Sequence, residues 1–514
     1  MDQARSAVKR FAAFLSLLPL ALGHAAVRPN IVYILADDLG YGDAGCYNPD
    51  SKIPTPRIDL LARQGRRFTD AHAADSVCTP SRYAILTGRY AFRSRLKHGV
   101  LEPLALPLIE PGRPTLAGLL SRAGYATVAL GKWHLGWNWP TRDGKVPDVQ
   151  GRNVDFSRRI ADGPTTLGFD SYFGVDIPNF PPYGFIVDDH LPVLPSVPAP
   201  MIVNRIHRPG PMVPGWKLEE ILPEITRHAV RYIETAATAQ IPKPFFLYFA
   251  LTAPHYPVVP TAEFKGKSRA GDYGDYVAEV DAMVGKVLDA LDRTGQTDNT
   301  LVCFSSDNGP EVIEVNPAAY ARIKLYGHRS MDGLRGAKRD IWEGGHRIPF
   351  IARWPRHIPA GTTTPELICE MDLMATVSAL LQLPLPAGAA EDSANILPAL
   401  LGTPHAEPVR PTLVLHTATN QYGIRSGNWV FIDAPSGSGN APRGREPLWL
   451  KQERGYVDDS FPGELYNLHS DLTEQRNLYG EHPEIVRRMK ALLEPYEAAS
   501  RQTAAVVKGT LPDE

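Results

Sequence analysis

A chain of 514 residues can bury a large core, and 43% hydrophobic with 21% charged residues is ordinary for a globular protein, so disorder is excluded and one large domain plus a smaller one is expected. Lys plus Arg number 54 against 56 Asp plus Glu, and no polybasic run occurs, so nothing argues for nucleic acid or an anionic membrane surface. An anionic substrate stays open, because a local cationic cluster leaves no trace in a net charge.

Arg5, Lys9 and Arg10 precede an apolar run from Phe11 to Leu22, and Gly23-His24-Ala25-Ala26 offers small residues for cleavage. This reads as a signal peptide over residues 1–25 and places the mature protein in the periplasm or outside the cell. The competing reading, a buried N-terminal helix, fits less well because a strand signal begins at Asn30. The run is too short for a membrane span and no later stretch is longer, so no span is expected.

The first strand, Asn30–Leu35, runs into Asp37-Asp38. Helical spacing follows over Arg57–Gln64 and Pro114–Ala123, and then a strand, Ala126–Leu130, delivers Lys132 and His134. Between Gly168 and Gly215 the chain is rich in Pro, Gly and aromatics and should be an irregular surface segment. Next come a helix over Leu218–Ala237, a strand Phe245–Ala250 that delivers His255, and a helix over Tyr276–Leu291. Glu279 and Asp281 on that helix are expected to be solvated or paired. The strand Leu301–Ser305 runs into Asp307-Asn308, and Phe350–Ala352 is a further strand. A composition break from Leu383 to Arg410 precedes strand-like Thr412–His416, Tyr422–Arg425 and Trp429–Ile432, with an amphipathic helix over His482–Ala499. The alternation predicts an α/β fold with a large, mostly parallel sheet flanked by helices, over residues 26–400. Residues 401–514 read as a smaller C-terminal subdomain with an antiparallel sheet and a terminal helix.

The four cysteines, Cys46, Cys78, Cys303 and Cys369, are widely spaced without a CxxC pair, which argues against a disulfide scaffold or zinc knuckle. Cys303 lies in an apolar strand and reads as core. In a parallel sheet the strand ends converge on one edge, where ligands bind. Asp37, Asp38, Asp307 and Asn308 are hard oxygen donors at two such ends, which suits Ca²⁺ or Mg²⁺ better than zinc. Each pair alone is more commonly a turn or a helix cap; both together favour a metal. In Cys78-Thr79-Pro80-Ser81-Arg82, Thr79 can cap a helix, Pro80 fits its first turn and Gly88 can end it. Cys78 would then sit at the positive end of a helix dipole, with Arg82 one turn on. A lone Cys is as readily a packing residue, Arg82 as readily a surface ion pair, and no base for a thiol nucleophile follows from the local sequence.

The run Cys78-Thr79-Pro80-Ser81-Arg82 with Leu86-Thr87-Gly88-Arg89 resembles the signature of the formylglycine-dependent sulfatases of the alkaline phosphatase superfamily. The resemblance extends over most of the mature chain. It takes in Pro29-Asn30-Ile31-Val32, Asp37-Asp38-Leu39-Gly40, Gly131-Lys132-Trp133-His134-Leu135-Gly136, Pro254-His255 and Ser306-Asp307-Asn308-Gly309. It continues through Gly336-Ala337-Lys338, Glu343-Gly344-Gly345 and Gly463-Glu464-Leu465-Tyr466-Asn467-Leu468. No core position departs from the pattern.

The resemblance implies a sulfuric ester hydrolase in which a maturation enzyme, the formylglycine-generating enzyme, converts Cys78 to formylglycine. One Ca²⁺, or Mg²⁺, would be held by Asp37, Asp38, Asp307 and Asn308 and would touch residue 78. Lys132 and Lys338 would hold sulfate oxygens, Arg82 would orient residue 78, His134 would help deprotonate the nucleophile, and His255 would protonate the leaving alcohol. His134 lies two residues from Lys132, so an extended segment would turn both to one side. The alternatives are a phosphatase or phosphonate monoester hydrolase of the same superfamily, or a non-catalytic glycan-binding relative; Cys at position 78 favours sulfate over phosphate. A sulfated carbohydrate is the expected partner. Discrimination among sugars is expected from the Gly168–Gly215 segment, with Asp176, Asn179, Tyr183, Asp188, Asp189 and His190 as candidates and Tyr183 placed to stack on a sugar. The loop at His328 and Arg329 is a second candidate.

Overall fold

The computed structural model describes residues 28–199, 208–313 and 315–510, so the expected signal peptide lies outside the described residues. In chain order the elements that build the scaffold are β1 (Asn30–Asp37), α1 (Pro56–Gln64), β2 (Arg66–Phe68), α2 (Cys78–Thr87) and α3 (Leu116–Arg122). They continue with β3 (Ala126–Lys132), β4 (Ser171–Val175), β5 (Ile186–Val187), α4 (Ile221–Ala237), β6 (Phe245–Pro254) and α5 (Gly271–Arg293). Then follow β7 (Thr300–Ser306), β8 (Phe350–Arg353), β9 (Thr362–Thr364) and α6 (Leu373–Leu381). The last are β10 (Thr412–His416), β11 (Tyr422–Ser426), β12 (Trp429–Ile432), β13 (Glu464–Asn467) and α7 (Pro483–Thr510).

A nine-stranded sheet has the order β9-β2-β8-β7-β1-β6-β3-β4-β5. Its centre, β7-β1-β6-β3-β4, is parallel, and β8 and β5 run antiparallel to their neighbours. Covered on both faces, β1 is buried at every residue, as a central parallel strand must be. Its side chains alternate between two cores. Val32 and Ile34 meet Ile58 of α1, Ile225 and Ala229 of α4 and Val280 and Val284 of α5, whereas Tyr33 and Leu35 meet Ile85 of α2, Leu120 of α3 and Val377 of α6.

Several strands outrun the apolar runs that mark them, β6 the furthest. β6 continues to Pro254 because β1 still pairs with it there, Asp37 opposite Pro254, after an irregularity in register. Glu279 and Asp281, expected to be solvated or paired, are instead buried. Glu279 accepts hydrogen bonds from the Thr261 N–H and hydroxyl. Asp281 accepts the Arg57 and Ile58 N–H groups at 2.9 and 2.7 Å, and so supplies the first turn of α1 with acceptors that the Thr55 side chain does not provide.

The C-terminal strands β10-β11-β12-β13 form the antiparallel sheet. Leu413, Phe431 and Leu465 from it share a core with Ala84 of α2, with Tyr90 and Phe92, and with Met489 and Leu493 of α7. That contact sets the small sheet against the helix that begins at Cys78.

Candidate active site

The carboxyl ends of β1, β7, β3 and β6 meet at one edge of the sheet. β1 ends in Asp37, and Asp38 turns away with φ of 67°, a left-handed backbone that is rare outside glycine. β7 ends at Ser306, whose hydroxyl accepts the Leu39 N–H, and Asp307 accepts the Asp38 N–H at 3.2 Å. Asn308 donates from Nδ2 to Asp38 Oδ1 at 2.7 Å. Asp37, Asp38, Asp307 and Asn308 are all 0% exposed.

Buried carboxylates need cations, and each has one. Lys132 Nζ donates to both oxygens of Asp37 at 2.9 and 2.7 Å, and Lys338 Nζ to both oxygens of Asp38 at 2.6 and 2.7 Å. Arg82 reaches Asp307 Oδ2 through Nε at 3.0 Å and Nη2 at 2.8 Å, and donates from Nη1 to the Lys132 carbonyl. Burial pushes the Asp37 carboxyl up, but the Lys132 and Arg82 charges outweigh it and hold it well below the ordinary range. Burial and the neighbouring Asp37 carboxylate push Asp307 up. Lys338, far from the solvent-facing place its Lys-Arg-Asp context suggests, is 3% exposed, and Asp38 holds its ammonium well above its ordinary range against burial.

Cys78 is the first residue of α2, in extended-to-helical transition after Val77. Thr79 does not cap the helix as expected. Val77 stands at the cap position, and the Thr79 hydroxyl accepts the Leu101 N–H instead. Gly88 does end the helix, in the left-handed conformation at φ 65° with its N–H on the Ala84 carbonyl. His134 Nδ1 lies 3.3 Å from Cys78 Sγ, and its Nε2 lies 3.2 Å from the Leu101 carbonyl. A carbonyl only accepts, so the ring hydrogen sits on Nε2 and Nδ1 is the acceptor that faces residue 78. The segment is not extended as expected: His134 has φ 55°, and Asp176 Oδ1 holds the turn by accepting the His134 backbone N–H and the Trp137 ring N–H. Burial and the Lys132 charge lower the His134 pKa to about 3, so the imidazole is neutral near pH 7.

His255 lies across the same space, with Nε2 3.9 Å from Asp38 Oδ2. Its Nδ1 is 2.6 Å from the Tyr256 carbonyl, which places the hydrogen on Nδ1 and leaves Nε2 as an acceptor in the neutral ring. Burial lowers its pKa to about 3 as well, with Lys132 adding to the effect and Asp37 opposing it.

These groups open into a cavity of about 170 Å³ whose lining includes Cys78, His134, His255 and Lys338. The rest of the lining is Val77, Gly99, Val100, Ile177, Asn179, Phe180, Arg208, Tyr256, Arg339 and Ala418. Part of the 168–215 segment therefore reaches the site, through Ile177, Asn179, Phe180 and Arg208. Of the expected substrate residues only Asn179 is in the lining; Asp176, Tyr183, Asp188, Asp189, His190, His328 and Arg329 are not. Tyr183 is 2% exposed and its hydroxyl is engaged with the carbonyls of Asn179 and Arg208, so its ring has no face for a sugar. His190 closes a surface turn with Val187 and lies beside Asp189. His328 is buried, its Nε2 on Asp43 and its Nδ1 accepting the Lys52 N–H; Asp43 in turn takes the Tyr273 hydroxyl, which makes this a support beneath Asp38. Asp176 lies behind His134 and not in the wall. Arg339, which pairs with Glu311 through two hydrogen bonds of 2.7 Å, and Ala418 went unnoticed in the sequence. The neighbouring Lys338 could have pointed to Arg339, whereas nothing local marks Ala418.

The donor set fits a hard cation. Asn308 Oδ1 is buried without a hydrogen-bond partner, an acceptor left over among three carboxylates. Ligand atoms of Asp37, Cys78 and Asp307, and of Asp37, Asp38 and His255, lie within 4.8 Å of one another. Oxygen dominates both groups, as Ca²⁺ or Mg²⁺ requires.

Residues 29–383 match the Sulfatase family model. The N-acetylgalactosamine-6-O-sulfatase of Bacteroides thetaiotaomicron is 35% identical over 92% of this chain and 94% of its own length. Arylsulfatase A of Homo sapiens is 34% identical over 93% and 89%. A solved structure described under glycosaminoglycan metabolism in Bacteroides thetaiotaomicron and labelled 6S-sulf superposes with a TM-score of 0.78 at 32% identity, covering 92% of this chain and all of that one. The PsFucS1 sulfatase from Pseudoalteromonas sp., 23% identical with a TM-score of 0.70 over 93% of this chain and 91% of that one, shares the fold. The chain belongs to the sulfatase family, and the activity that follows is hydrolysis of a sulfuric ester.

Proposed function

We propose that this sulfatase removes sulfate from a sulfated carbohydrate, with residue 78 acting as formylglycine and with one Ca²⁺ or Mg²⁺ held by Asp37, Asp38, Asp307 and Asn308. The observation that carries the reading is the bare Nδ1 of His134, 3.3 Å from Cys78 Sγ, at the strand edge that also holds the unpartnered Asn308 oxygen. Hydrated formylglycine supplies a hydroxyl nucleophile, and the cation supplies positive charge for that hydroxyl and the sulfate.

The side chains then divide the work. His134 takes the nucleophile's proton at Nδ1, oriented by the Leu101 carbonyl and by Asp176. With a cation on the carboxylates, Lys132 and Lys338 would be free to donate to the sulfate oxygens, where charge builds during transfer. Arg82 stays on Asp307 and keeps the first turn of α2 in register with the strand ends. The N-terminus of α2 adds positive potential at residue 78. His255 gives a proton to the leaving alcohol; to do so its Nε2 must first be protonated, and an anionic ester beside it favours that form.

The export reading belongs to the same proposal: residues 1–25 as a cleaved signal, a catalytic region over 26–400, and a C-terminal subdomain over 401–514 that lends Ala418 to the cavity wall. Among the described residues no helix is long and apolar enough to cross a membrane. N-Acetylgalactosamine 6-O-sulfate is the first sugar to test, since the Bacteroides relative is named for it. Mass spectrometry of the peptide bearing residue 78 after co-expression with a formylglycine-generating enzyme should show a loss of ~18 Da. An active protein with an unmodified thiol at 78 overturns the nucleophile assignment.

A further inference from the structure

A cavity of about 610 Å³, larger than the one of about 170 Å³ at residue 78, lies elsewhere on the molecule. It lies at the opposite edge of the sheet. Arg353, at the end of β8, pairs in register with Val302 of β7, five residues before Asp307. At about 3.3 Å per residue that separates the two sites by roughly 17 Å along one strand. The volume is in the range of pockets that hold small ligands.

Its lining is cationic: Arg63, Arg353 and Arg356 against one carboxylate, Asp292. Arg353 is 2% exposed, donates from Nη1 to Gln64 at 2.9 Å, and leaves Nε and Nη2 without an acceptor. A buried guanidinium with two orphaned N–H groups is costly, and an oxyanion is the partner that matches its planar fork. Burial pushes its pKa down, Asp292 opposes this, and Arg57 adds to it. Arg63 is exposed and forms no ion pair among the described residues, and Arg356 has only the exposed Asp298. The Asp292 carboxylate is occupied by the Thr297 hydroxyl.

We propose that this cleft is a second, non-catalytic binding site for an oxyanion, either a sulfate or carboxylate group carried on an acidic saccharide or free inorganic sulfate. Arg353 is its floor, and Arg63 and Arg356 are its rim. On a long polyanionic chain such a site holds the enzyme to its substrate; for the free ion it senses product.

The test is isothermal titration calorimetry of the full-length Cys78→Ala chain, which cannot turn substrate over, with a chondroitin 6-sulfate hexasaccharide as probe. Two classes of site per chain are expected. Arg353→Gln, and separately the pair Arg63→Gln and Arg356→Gln, should weaken the second class about tenfold or more and leave the first unchanged. The paired variant alters exposed side chains alone, so it reports even where Arg353→Gln fails to fold. Repeating the titration with inorganic sulfate separates the sources: free sulfate filling the second class as tightly as the hexasaccharide assigns the site to the ion, and hexasaccharide binding alone assigns it to the saccharide. A single class of site, or a second class untouched by both sets of substitutions, overturns the proposal.

Discussion

Two buried charge clusters in this molecule look alike by residue type and differ in what they can do. The first is the proposed catalytic one, with Asp37, Asp38 and Asp307 on Lys132, Lys338 and Arg82. The second joins Asp70 and Glu343 to Arg347 and Arg425, with His72 and His346 between them, Nδ1 to Nδ1 at 2.8 Å. Both contain groups spaced for a metal. In the second, however, Arg425 closes on Asp70 at 2.6 and 2.5 Å, Arg347 bridges Asp70 and Glu343, and no residue of the cluster lines the cavity at Cys78. In the first, two of the three cations are lysines, single-point donors on flexible stems, and the cavity opens onto one of them, Lys338. Burial and charge are common to both; the opening and the lysine partners mark the one proposed to react.

The comparison breaks most sharply on Asp307→Ala. This variant should lose activity on the order of 10³-fold or more and lose the Ca²⁺ or Mg²⁺ proposed for the site, while circular dichroism stays that of the wild type. Retained metal by elemental analysis would move the cation elsewhere. In the second cluster, Arg347→Ala should cost about 3–5 kcal/mol in urea unfolding, because it leaves buried carboxylates unpaired, yet the folded fraction should keep its kcat. Wild-type stability with lost activity would make that cluster part of the site.

His255→Ala should slow sugar sulfates by about 10²-fold and an activated aryl sulfate far less, because a nitrophenolate leaves without a proton. Equal losses on both substrates would give His255 a binding or structural role. The smallest effect concerns His346, whose pKa burial and the neighbouring His72 lower from 6.5 to about 3. A histidine depressed in the fold stabilises above its unfolded pKa, so its contribution is full above pH 6.5 and is lost as pH falls toward 3, by up to about 1.4 kcal/mol per pH unit. His346→Asn should flatten that part of the stability profile; an unchanged slope would mean that the acid sensitivity lies with other groups.

What was legible in the sequence was whatever is written locally. Apolar runs ending in Asp37-Asp38 and Asp307-Asn308 mark strand ends by themselves, and the helix from Cys78 to Gly88 carries its own stop. What was not legible depends on distant chain. Asp281 caps α1 from 223 residues away, and Ala418 reaches the cavity because the small sheet packs on α2. Tyr183 misled because an aromatic in a Pro-rich loop reads the same whether it faces a ligand or fills a core. Thr79 misled because a hydroxyl near a helix start satisfies the capping pattern even when another N–H, that of Leu101, takes it.

The central claim, sulfate ester hydrolysis through a modified residue 78, is tested most directly by ion chromatography of inorganic sulfate released from N-acetylgalactosamine 6-O-sulfate and from a nitrophenyl sulfate. Wild-type and Cys78→Ala proteins, both co-expressed with a formylglycine-generating enzyme, would be compared, with nitrophenyl phosphate as a control. The wild type should release sulfate from at least the aryl ester, should prefer sulfate to phosphate, and should lose that release in Cys78→Ala. Equal sulfate release by the alanine variant, or hydrolysis of the phosphate ester in preference to both sulfates, would contradict it.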